Sequence, residues 1–84
     1  MTDHEFDILD ELYFVKSFAN LQKELPLLES NLITELENLI QKGWIRILDE
    51  FDNEVNINDE RFKNHEYKFN FIATKQGLKA HNQV

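Results

Sequence analysis

Apolar side chains recur at helical spacing from the start of the chain. Phe6, Leu9 and Tyr13 form one stripe, and Ile8, Leu12 and Val15 form a second beside it. At 100° per residue these six cover about half of a helix circumference, a wider face than one core contact needs. Asp7, Asp10 and Glu11 fill the opposite arc. Thr2 and Glu5 have the spacing of a capping box, and Asp3, Glu5 and Asp7 suit the positive end of a helix dipole. The pattern predicts a helix over 3–16. Ser17-Phe18-Ala19-Asn20 then reads as a break with a cap, followed by a helix over 18–25 that Pro26 stops. Leu32, Leu36 and Leu39, widened by Ile33 and Ile40, predict a third helix over 29–42, closed by Lys42-Gly43. The period changes there. Trp44-Ile45-Arg46-Ile47-Leu48 predicts a strand over 44–48, and 49–65 is polar and irregular. Alternation from Tyr67 to Phe71 predicts a strand over 66–73, and Thr74 caps a last helix over 74–82.

Composition narrows the class. Eighty-four residues with 42% hydrophobic side chains suffice for one modest core, so 1–84 reads as a single domain. The lack of Cys excludes disulfides, thiolate metal sites and a thiol nucleophile. No apolar run is long enough to span a bilayer, which places the expected protein in the cytoplasm. The net charge of -7 argues against generic attraction to phosphate.

Three helices followed by a hairpin is the order of a winged helix-turn-helix domain. The residues add to that order. Ser17-Phe18 to Leu21 and Leu25 resembles the second helix of ArsR/MarR-like winged-helix transcriptional regulators. Asn31-Leu32, Leu36, Leu39 and Lys42-Gly43-Trp44-Ile45 is similar to their third helix and first wing strand. Phe71-Ile72-Ala73-Thr74-Lys75-Gln76-Gly77 resembles the segment that closes their wing. The matches run from about residue 17 to 80. They imply an α+β winged-helix fold and a DNA-binding regulator whose third helix enters the major groove, with Glu29, Ser30, Asn31, Ile33, Thr34 and Glu37 facing it. Ser30, Asn31 and Thr34 are the candidate base readers.

The departures concern charge. The chain has Pro26 where such proteins carry a turn residue, Leu28 where they carry a small polar one, and no Arg just before the closing wing motif. Residues 1–60 hold fifteen acids and four bases, whereas 61–84 hold five bases and one acid. Arg61, Lys63 and His65 would share a face of an extended wing, and with Lys68 they are the candidate backbone contacts. Their other reading is pairing with Asp49, Glu50, Asp52 and Glu54 on the outgoing arm. An acidic third helix and wing equally suit a winged helix that binds protein rather than DNA.

Other chemistry finds little support. Oxygen side chains alternate from Asp52 to Asn58 as in a calcium loop, but Ile57 and Lys63 occupy the positions that need Gly and Glu. His4, His65 and His81 lack metal-ligand spacing, and His81 reads as a tail residue. Ser17 and Ser30 read as cap residues, and no nucleophile or phosphate loop stands out. The sequence therefore predicts neither an enzyme nor a cofactor or metal site. Trp44, Phe69 and Phe71 are expected to join sheet to helices. Phe14, Phe18, Ile33 and Ile40 are candidates for an apolar interface, and the wide face of helix one suggests a homodimer.

Overall fold

The computed structural model describes residues 1–83. Helix α1 (Asp3–Glu11) begins where the sequence places it. Thr2 Oγ1 accepts from the Glu5 N–H at 3.1 Å, and Glu5 Oε1 accepts from the Thr2 N–H at 2.9 Å. The helix is shorter than its apolar stripes imply. It caps at Leu12, and the Leu12 carbonyl accepts from the Ala73 N–H at 2.9 Å. Lys16–Ser17 becomes strand β1, paired antiparallel with Phe71 and Asn70. The predicted turns 12–16 are thus given up to a sheet edge formed by residues far away in sequence.

Helix α2 (Phe18–Glu24) starts at Ser17, whose hydroxyl accepts from the Asn20 N–H at 3.1 Å. Leu25 is extended, as a residue before proline should be. Helix α3 (Glu29–Gln41) follows, and Gly43 leaves it with φ 77°. Strand β2 (Ile45–Leu48) pairs with β3 (Glu54–Val55) on one side and with β4 (Asn70–Ala73) on the other. The sheet therefore has four strands in the order β1-β4-β2-β3, where a two-stranded wing was expected. Glu66–Lys68 is a 3-10 turn, so the predicted strand over 66–73 is confined to its second half.

The reason lies in Phe62. Between β3 and β4 the chain turns repeatedly and carries Phe62 into the core, edge-to-face against Phe69 at 5.4 Å and Phe71 at 6.3 Å. That anchor folds the returning limb back towards the helices, where its 3-10 turn meets α2. The remaining core comes from Ile8 and Leu9 of α1 with Leu12 at its cap, Leu32, Leu36 and Leu39 of α3, and Ile45, Ile47 and Phe71 of the sheet.

Helix α4 (Lys75–Asn82) closes the molecule. Thr74 fastens its start: the backbone N–H donates to the Trp44 carbonyl at 2.8 Å and the hydroxyl to the Gly43 carbonyl at 2.7 Å. Gly77 permits this approach, since a Cβ there would lie 2.0 Å from the Trp44 carbonyl oxygen. The far end of α4 rests on α1 through His81. Its ring is buried, stacks on Phe6 at 4.2 Å and has Nδ1 2.8 Å from the Tyr13 hydroxyl. His81 is a packing residue of the α1–α4 joint and not a tail residue.

Candidate nucleic-acid interface

Leu32, Leu36 and Leu39 turn α3 towards the core, which fixes the face it turns to solvent. Ser30, Thr34, Asn38 and Gln41 follow one another along that face, with Asn31 beside the first, and all five are exposed. None is charged. The Thr34 hydroxyl donates to the Ser30 carbonyl at 3.1 Å, one turn back. Three of the predicted readers, Ser30, Asn31 and Thr34, therefore share one surface. Asn38 and Gln41 belong to the same line and were missed, although helical spacing from Thr34 would have found Asn38 at once. Ile33 does not face outwards; it is half-buried and packs on the core, as does Ile40.

The two flanks of this face differ in charge. Towards α1, Lys42 donates to the buried Glu5 carboxylate and its ammonium lies 4.8 Å over the Trp44 ring. Burial would raise the Glu5 carboxyl, but Lys42 and the Thr2 N–H outweigh it and hold the group below its ordinary value. Towards the returning limb, Glu37 is half-buried and faces Glu66, which is itself buried. Burial, followed by the charge and hydrogen bond of Glu66, raises the Glu37 carboxyl. No side chain caps the first turn of α3, because Leu28 stands at the cap position.

The basic residues are arranged otherwise than expected. Residues 61–64 form turns, with Asn64 at φ 64°, so Arg61, Lys63 and His65 do not share one face of an extended arm. Arg61 is paired locally: its Nη2 lies 3.1 Å from Asp59 Oδ2, and its N–H donates to the same carboxylate at 2.8 Å. The cross-strand pair is Arg46 with Glu54, at 3.7 Å. Arg61, His65 and Lys68 do meet, in a cleft of about 380 Å³ with Asp49, Glu50, Phe51 and Phe69. Lys63 is exposed and lies outside that cleft.

The apolar candidates are dispersed. Phe18 is in the core and is not a surface residue, whereas Phe14 is 78% exposed beyond the end of α1. The first stripe of α1 is engaged at both ends, with Phe6 and Tyr13 committed to His81. A surface the sequence did not single out is the β2–β3 turn. The Asp49 carboxylate accepts from the Phe51 N–H at 2.9 Å and the Asn53 N–H at 3.0 Å, and Asp52 adopts φ 63°. That framework holds Phe51 out, 74% exposed. Among the described residues no cluster of three or more His, Asp or Glu could hold a metal, and no helix is long and apolar enough to cross a membrane.

No protein-family profile and no curated protein matches the chain. A solved structure does, described as the Multiple Antibiotic Resistance Repressor, MarR, with a TM-score of 0.74 and 24% identity. The match covers 99% of this chain and 53% of that one, so the chain spans about half the length of the repressor.

Proposed function

We infer a transcription-regulator-like role from the fold, which is that of a MarR-like winged helix, α+β. We propose that the chain is a DNA-binding domain in which α3 enters the major groove. The supporting observation is the uncharged outer line of α3, where Ser30, Asn31, Thr34, Asn38 and Gln41 present hydrogen-bonding groups of the kind that read base edges. Lys63 and Lys68, both exposed, would contact the phosphate backbone. Arg61 would contribute after exchanging Asp59 for phosphate. A catalytic group has no place in this reading. A homodimer remains part of the proposal, with Phe14 and the neighbouring Val15 as the exposed apolar surface for it. Sedimentation of the chain against a Phe14→Ser variant tests that pairing, and two monomeric species would remove it.

The β2–β3 turn favours a second reading. Phe51 is flanked along the chain by Asp49, Glu50, Asp52 and Glu54, and although its cleft also holds Arg61, His65 and Lys68, that acidic turn suits a protein partner with a basic-rimmed apolar socket. Anisotropy of a labelled random-sequence duplex, titrated at low and at physiological salt, separates the two. Binding at low salt that weakens steeply as salt rises supports the DNA reading. No binding even at low salt turns the assignment to the protein-binding reading.

A further inference from the structure

The outer line of α3 is chemically selective among base pairs. Helix α3 carries no Lys or Arg, so it cannot make the commonest guanine contact, a cation donating to O6 and N7. It carries carboxamides instead. Asn and Gln pair with adenine in two places at once, donating to N7 and accepting from the N6 amine. The side-chain amides of Asn31, Asn38 and Gln41 are exposed and take no part in the hydrogen bonds among the described residues. Thr34 adds a different preference. Its hydroxyl hydrogen is spent on the Ser30 carbonyl, which leaves the methyl group to meet the C5-methyl of thymine. Of the three acids on α3 that could accept from cytosine, Glu37 is turned to Glu66, Glu35 lies 3.9 Å from His4 Nδ1, and Glu29 stands at the first turn.

We infer that α3 selects A·T base pairs through the major groove, with Asn31 and Asn38 reading adenine and Thr34 reading a thymine methyl between them. This rests on the reading that α3 enters the major groove. The seven-residue step from Asn31 to Asn38 rises about 10.5 Å along the helix, roughly three steps of 3.4 Å in B-DNA. The recognised core is therefore about three to four base pairs long.

The test uses the full chain and labelled duplexes that differ only in a central block, A·T, G·C, or A·T with 7-deazaadenine, at low salt. Deazaadenine lacks the N7 acceptor in the major groove and keeps the minor-groove edge. The A·T block is expected to bind about tenfold tighter than the G·C block. Deazaadenine, Asn31→Ala or Asn38→Ala should each shrink that ratio at least threefold by weakening the A·T complex, with circular dichroism confirming that the variants fold. Equal affinity for A·T and G·C overturns the inference and leaves the DNA reading standing. A preference that survives both deazaadenine and the Asn variants overturns it as well, because the discrimination would then come from groove shape. Failure to bind any of the three duplexes removes the DNA reading itself and this inference with it.

Discussion

On the side of α3 that meets α1, a Lys42 ammonium reaches the buried Glu5 carboxylate and the charges are opposite. On the side that meets the returning limb, Glu37 and Glu66 bring two carboxyls together and the charges are alike. Both joints are closed in the same fold, so charge alone does not decide which surfaces meet. The first joint is helped by its ion pair and by the cap it shares with Thr2. The second is closed against its carboxyl pair by what lies beside it, the Phe62 ring wedged on Phe69 and Phe71. Apolar burial, worth about 1.5–3 kcal/mol for a large side chain, exceeds the repulsion of two half-screened carboxyls.

Removing the wedge should have the largest effect. Phe62→Ala is expected to cost about 3–5 kcal/mol in urea unfolding, because a buried ring is lost and the like-charged joint loses what holds it shut. A loss below about 1 kcal/mol would mean the returning limb is held by something other than Phe62. Next in size, Glu5→Ala should cost about 2 kcal/mol, since it strips a charge-assisted hydrogen bond from Lys42 and the reciprocal bond of the helix cap.

The smallest effect has the opposite sign. Glu37→Gln should stabilise the fold at neutral pH by up to about 1 kcal/mol, because it removes one of two like charges. The two carboxyls also bend the pH profile in opposite directions. Glu5 is lowered in the fold, so its contribution is present above the ordinary carboxyl value of 4.5 and is lost as pH falls through the lowered one. Glu37 is raised in the fold, so stability declines as pH climbs from 4.5 through its raised value. Thermal unfolding against pH should peak between the two. Glu37→Gln should flatten the alkaline side alone, and a variant profile identical to that of the parent would remove the carboxyl pair as its cause.

What the sequence makes legible is what neighbours in the chain decide. The capping box at Thr2, the Ser17 and Thr74 caps, the stop before Pro26 and the Lys42-Gly43 exit are all local, and all appear where expected. Ser30, read as a cap, lies inside α3 because Leu28 holds the cap position, but the other errors share a distant cause. Helix one loses residues 12–16 because β4 draws Lys16 and Ser17 into a sheet, and apolar periodicity carries no record of a partner at Phe71. Phe18 reads as an apolar surface candidate, yet it opens α2 where that helix was expected and is buried. The candidate site was half legible. The resemblance points to Ser30, Asn31 and Thr34, which the structure leaves exposed on one face of α3, whereas the basic arm assumed an extended limb where the structure has turns at 61–64.

The strand order carries a consequence for the order in which the protein can be completed. Strand β4 lies between β1 and β2 and is the last strand in the chain. During synthesis the sheet therefore has no interior until Asn70–Ala73 has emerged. By then α1, α2, α3 and the β2–β3 turn have all been exposed. The early helices must wait with their Leu and Ile faces uncovered, dependent on contacts that span more than fifty residues. A nascent chain paused before Asn70 would lack the strand that fills the sheet, so the emergence of Asn70–Ala73 decides whether it folds or is captured by chaperones.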